Sequence, residues 1–173
     1  SVPYLAQPAP PVPGADLHVP PVVPYTPLAA KAAEPTQAYV GTSASPAGAT
    51  MFCFSLCQPT GYEPKLLKAQ FEIGASIFGC DAYAIYSNRA FEITTGVVTS
   101  PVSDSLKCQV HEIAWNTGIF LAVWHKVIHQ AWYRSYEWTV KTDPDAVFFP
   151  NRLIPVLKDH QGAGYLNNCQ YGL

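Results

Sequence analysis

Charge is what this sequence has least of: Asp, Glu, Lys and Arg make up 13 % of it, about half the roughly 25 % usual for soluble domains. The net charge is −2 and no block of lysines or arginines interrupts it, which excludes a nucleic-acid surface, because phosphate binding needs a basic field. Long apolar runs are missing too. The longest, Ile119 to Trp124, gives way to His125, Lys126, His129 and Gln130, far short of the roughly 20 residues that a spanning helix needs. No CxxC pair is present, so a zinc site of that type is excluded. No GxSxG, P-loop or GxGxxG occurs, and His111-Glu112 lacks the second histidine of HExxH. No signal peptide and no internal repeat is visible. The chain starts at Ser1, which points to a processed or truncated product whose targeting segment has been removed.

Proline is abundant, and it is unevenly spread. Eleven of the 17 prolines fall in residues 1–48, where Asp16, Lys31 and Glu34 are the only charges. Such a stretch favours polyproline II over ladders or helices. We therefore divide the chain into a Pro-rich extended tail, residues 1–48, and an α/β domain, residues 49–173. The tail's large side chains, among them Tyr4, Leu5, Leu17, Val22, Val23, Tyr25 and Leu28, are candidate partner-binding residues. Prolines have pre-extended their backbone, so little entropy is lost on docking. The alternative is that the tail folds back on its own domain. A chain 49 % hydrophobic with so little charge is expected to cover part of its surface with protein partners.

Within the domain, Met51–Leu56 and Ala82–Tyr86 are short apolar runs expected as strands, and Tyr136–Lys141 alternates as a half-buried strand does. Thr60-Gly-Tyr-Glu63 has capping-box spacing and opens a helix expected to reach Gly74. Phe91–Val102 reads as loop with one short strand, and Ser103-Asp-Ser105 as the cap of a helical turn. His111–Tyr133 is expected as the longest helix, with a core face around Trp115, Trp124 and Trp132. Further elements are a helix from Asn151 to about His160 and a last strand, Tyr165–Cys169. This order predicts an α/β fold, a small, mostly parallel sheet flanked by helices.

Five cysteines leave at least one thiol unpaired within the chain. Cys53 and Cys57 are too far apart on one extended strand to pair. Cys80 and Cys108 flank the second strand region and are candidates for a bridge in an oxidising lumen, against the alternative of reduced, buried thiols. His125 and His129 share a helical face but find no third ligand in register.

One candidate site remains. Asp143-Pro144-Asp145 ends the third strand, where open α/β sheets place their ligands. Two carboxylates there can hold a hard cation such as Mg²⁺ or Mn²⁺; the competing reading is a plain Asp-Pro-Asp turn. The pattern Lys141-Thr-Asp143-Pro-Asp145-Ala-Val-Phe-Phe-Pro150-x-Arg152-Leu153 resembles the DxD region of GT-A glycosyltransferases of the fringe and β-1,3-galactosyltransferase kind. It is more similar still to GT-A-like proteins of dinoflagellate algae. Phe52-Cys-Phe-Ser-Leu with Gly61-Tyr-Glu63, Ile77-Phe-Gly-Cys-Asp81 through Ser87-Asn88, and Tyr165-Leu-Asn-Asn-Cys169 also fit that group.

The resemblance covers about residues 50–173. It implies a partial GT-A, Rossmann-like fold, with Asp145 as metal ligand and Asp143 as its partner towards metal or ribose. It also implies an acceptor half that the 28 residues after Asp145 do not supply. Two readings follow. In the first, the chain is a non-catalytic structural subunit without cofactor. It docks by its tail onto a large organellar complex, with a photosystem–antenna assembly at the chloroplast thylakoid as the specific host. In the second, it is part of a glycosyltransferase of the Golgi or secretory lumen, using Mn²⁺ or Mg²⁺ with a nucleotide-sugar.

Overall fold

The computed structural model describes residues 33–42, 49–102, 109–110, 114–115 and 117–166. The partner-binding candidates of the tail, Tyr4 to Leu28, lie outside these residues, as do Ser103–Ser105 and Cys108.

The chain runs β1 (Tyr39–Val40), β2 (Met51–Leu56), α1 (Glu63–Glu72), a 3₁₀ turn (Ser76–Gly79) and β3 (Ala82–Ser87). Three short strands follow, β4 (Glu92–Thr94), β5 (Val97–Val98) and β6 (Ser100–Pro101), then a small antiparallel pair, β7 (Gln109–Val110) and β8 (Ala114–Trp115). The remainder is α2 (Thr117–Gln130), a 3₁₀ turn (Trp132–Ser135), β9 (Trp138–Lys141) and α3 (Pro150–Lys158). The fold is α/β, a small mixed sheet with three helices. Its main sheet has the order β1-β3-β2-β9, and β6 shares the outer edge of β3 with β1. The pairings β2–β3, β2–β9 and β3–β6 are parallel, and β1–β3 is antiparallel.

Strand β2 is buried at five consecutive residues, as a central parallel strand covered on both faces must be. Its alternation divides the core. Met51 and Cys53 face a cluster with Leu67 of α1 and Ile154 and Leu157 of α3, joined by Ile77, Phe78, Tyr83 and Ile85. Phe52 and Phe54 face Val123 and Val127 of α2, with Ala82, Ala84 and Tyr86 of β3 beside them. The helices therefore cover opposite faces, α1 and α3 on one and α2 on the other. A disulfide joins Cys53 to Cys80, and Asp81 accepts a hydrogen bond from the Met51 N–H at 2.7 Å.

Several sequence expectations are corrected. Cys80 pairs with Cys53, not with Cys108, because parallel β2 and β3 bring the two together across a Cα separation of 6.1 Å. The long helix begins at Thr117, since Asn116-Thr117-Gly118 are weak helix formers, and Trp115 belongs to β8. Trp124 is 39 % exposed and Ile128 56 %, whereas Val123 and Val127 are buried. The helix's inward face therefore centres on Val123 and Val127; Trp132 packs against the same cluster, as expected, whereas Trp124 lies at its margin. Phe91–Val102 holds three short strands rather than one. Tyr165 and Leu166 are irregular, and the rest of the expected last strand lies outside the described residues.

Residues 33–42, whose composition groups them with the tail, contribute to the sheet. Tyr39 stacks on Tyr83 with ring centroids 5.4 Å apart, and Glu34 pairs with Lys126 of α2. Gly41 is required where it stands. A Cβ there would lie 1.8 Å from the Cys80 carbonyl oxygen, well inside contact distance.

Two substitutions test the face assignment. Phe54→Ala removes a fully buried ring and should cost about 3–5 kcal/mol in a urea titration. Trp124→Ala removes a half-exposed ring whose main contact is the Phe54 edge at 4.9 Å, and should cost clearly less. An equal loss from both would place Trp124 in the core after all.

Candidate functional site

The sheet order reverses at β2: α1 leads to β3 on one side, and the later crossover through α2 leads to β9 on the other. The carboxyl ends of β2 and β9 therefore meet at a topological switch point, the usual ligand crevice of open α/β sheets. Asp143-Pro144-Asp145 lies there, directly after β9. Its strand is anchored by Trp138 N–H to Thr50 O and Thr142 N–H to Phe54 O, both 3.0 Å. Proline then stops the ladder. Pro144 is buried, and its carbonyl accepts from Gln70 Nε2 of α1 at 2.8 Å. The Asp143 carbonyl accepts from Ala146 N–H at 3.1 Å, which closes the turn.

Both carboxylates are engaged. Asp143 Oδ1 pairs with Lys141 Nζ at 2.6 Å, and that ammonium also lies 4.1 Å from the centroid of the Phe120 ring. Asp145 Oδ2 accepts from the Tyr62 hydroxyl at 2.9 Å, a bond that raises the Tyr62 pKa by favouring the protonated phenol. The two carboxylates thus serve different elements.

Tyr62 and Glu63 are the residues that sequence reasoning misplaced. Thr60 and Glu63 have capping-box spacing, but α1 begins at Glu63 with Tyr62 as its cap residue and no side-chain cap. Glu63 instead reaches back and accepts from Gln58 N–H at 2.7 Å, fixing the turn after β2. Partial burial raises its pKa; the Gln58 bond opposes that, and Asp145 and Asp143 add repulsion. The signal was present, since Gly61-Tyr62-Glu63 belongs to the resembling motif, but helix capping was the nearer explanation. Beside it, Cys57 is buried, and desolvation, then Glu63, push its thiol well above the usual range. It is a core thiol, not a nucleophile.

The Lys141 contact uses Asp143 Oδ1 and the Tyr62 contact uses Asp145 Oδ2, so a divalent cation at this loop would share both carboxylates with donors of the chain itself. Among the described residues, no group of three His, Cys, Asp or Glu side chains is placed to hold a metal. His125 and His129 are exposed on α2 and gain no third ligand among the described residues.

The raised pKa of Glu63 predicts a pH effect. A carboxyl that holds its proton more tightly when folded is most favourable at low pH, and that contribution is lost as pH rises through the carboxylate range and past the folded pKa. Glu63→Gln, whose amide oxygen can still accept from Gln58 N–H, should raise the thermal midpoint at pH 7. The gain should be below about 1 kcal/mol given solvent screening, and it should vanish on acidification below the carboxylate range. A gain that persists there would assign the effect to packing. In comparisons with known proteins, no family model, no curated protein and no solved structure matches this chain.

Proposed function

We propose that the chain is a non-catalytic structural subunit of a larger protein assembly, built on a GT-A-like frame and docked through its proline-rich segment. One observation carries the reading: each carboxylate of the Asp-Pro-Asp loop is already bound within the domain, Asp143 by Lys141 and Asp145 by Tyr62. The loop ties β9 to the start of α1 through groups that a transferase would need free for metal and nucleotide. Exposed apolar residues support the same reading. Leu121 and Ile128 on α2, and Val147, Phe149 and Val156 at α3, face outward, a surface suited to protein neighbours.

The Cys53–Cys80 disulfide favours an oxidising compartment. No helix of the described residues is long and apolar enough to cross a membrane. A photosystem–antenna assembly of an algal plastid is the host we propose, on the strength of the resemblance.

The position of the Asp-Pro-Asp loop at the switch point favours a second reading, a metal-dependent transferase of nucleotide-sugars, with Asp145 and Asp143 towards Mn²⁺ or Mg²⁺. The two readings separate cleanly. Asp143→Asn with Asp145→Asn should leave co-purification with the host membranes intact. A chain without residues 1–32 should keep its thermal transition yet be lost from them. The cut falls before Glu34 and β1 because those residues serve the sheet. Binding of a uridine nucleotide with Mn²⁺ by calorimetry, abolished by the Asn pair, would establish the transferase instead.

A further inference from the structure

Residues 39–42 form a strap seated on one short stretch of the domain, Phe78 to Tyr83. Tyr39 and Val40 pair with Tyr83 and Ala82. Gly41 N–H donates to Asp81 O at 3.0 Å, and Thr42 N–H to Phe78 O at 2.9 Å. Thr42 Oγ1 adds a second bond to Phe78 O at 3.1 Å. Between these contacts lies Cys80. A Cβ on Gly41 would come within 1.8 Å of the Cys80 carbonyl oxygen, so the strap rests on the Cys80 peptide without slack.

Cys80 is also the residue of that stretch whose position depends on oxidation state. Its bridge to Cys53 is a covalent bond of about 2 Å, whereas two thiol sulfurs must stand about 3.5–4 Å apart. Both side chains are wholly buried, which leaves little room for rotation. Cys53 is fixed, because it lies within β2 between β3 and β9. Asp81 is held too: its N–H donates to Met51 O at 3.1 Å, and its carboxylate accepts from Met51 N–H. The displacement therefore falls on Cys80 and the 3₁₀ turn before it. That turn contains Ser76 at a φ of +55°, a left-handed conformation that costs energy for a residue with a Cβ and persists only while its neighbours hold it.

We propose that the Cys53–Cys80 bridge is a redox-operated clasp for the strap: oxidation seats residues 39–42 on the entry of β3, and reduction unseats them. The chemistry is thiol–disulfide exchange with a dithiol. One thiolate of the dithiol attacks a bridge sulfur, which forms a mixed disulfide and frees the other cysteine as a thiolate that takes up a proton. The second thiol of the dithiol then closes its own disulfide and releases the remaining cysteine. Two electrons and two protons have passed to Cys53 and Cys80, and the dithiol leaves oxidised. The strap follows the proline-rich segment directly in sequence, so the clasp controls whether the root of that segment is fixed to the sheet. This rests on the docking role of the segment and adds a redox control to it.

The test follows single amides of the purified full chain by hydrogen exchange, oxidised and then in excess dithiothreitol. Alkylation with mass spectrometry establishes the state of Cys53 and Cys80. The Gly41 and Thr42 amides should exchange at least about tenfold faster in the reduced chain, the effect of losing one or two net hydrogen bonds. Low urea should leave those rates unchanged, because local opening exposes little surface. Coupling is reciprocal, so loosening the strap should favour reduction. In a dithiothreitol redox buffer, Gly41→Ala and Thr42→Val should each raise the reduced fraction of the bridge. Val127→Ala, on the opposite face of the sheet, should leave it unchanged. If Gly41→Ala fails to fold, Thr42→Val carries the comparison. Strap amides that exchange alike in both states overturn the clasp, as does an equal shift from Val127→Ala. A reduced chain that does not fold, or whose strap amides open only with the urea dependence of whole-domain unfolding, overturns it too, since the bridge then serves the entire domain. No host is present in these experiments, so their failure leaves the co-purification test of the structural reading standing.

Discussion

The rest of the molecule depends on β2 lying in the middle of its sheet. Its backbone is bonded on both sides, to β3 and β9, and its side chains go alternately to the two helical layers. Met51 and Cys53 meet α1 and α3, and Phe52 and Phe54 meet α2. A register slip by one residue would exchange the two sets, sending the phenyl rings into the tight space beside Leu67 and the disulfide cysteine towards α2. The Cys53–Cys80 bridge and the Met51–Asp81 hydrogen bond guard against that slip, because both tie β2 to the entry of β3. The Asp-Pro-Asp loop inherits its position from the same register, since Thr142 N–H bonds to Phe54 O.

The parts of the fold legible in the sequence are those set by short-range pattern. Met51–Leu56 and Ala82–Ser87 are continuous apolar runs of strand length, and Asp143-Pro144 ends a strand by chemistry that needs no neighbour. What was illegible depended on contacts far along the chain. The partner of Cys80 is decided by which strand lies beside β3. The inward face of α2 is decided by the phenyl rings of β2, which take Val123 and Val127 into the core and leave Trp124 to meet Phe54 from the margin. Tyr39–Val40 is too short and too close to the prolines to show a period, yet the outer edge of β3 recruits it.

The candidate site divides along the same line. Asp143 and Asp145 could be named from spacing alone, but their partners could not. Tyr62 lies 83 residues from Asp145, and only the parallel pairing of β2 with β9 brings them within bonding distance. Lys141 is two residues from Asp143, and an alternating strand places the two within reach. Spacing marks the carboxylates but not the donors of the chain itself that lie nearest to them, Lys141 and Tyr62.

The loop also fastens elements together: Asp143 holds the Lys141 ammonium beside the Phe120 ring, and Asp145 holds Tyr62 at the start of α1. The exposed Lys141–Asp143 pair is individually worth little. Its geometry nevertheless holds the Lys141 side chain at the end of β9, between Asp143 and the Phe120 ring. The residues that look catalytic by spacing thus connect the end of the central sheet to the beginning of α1.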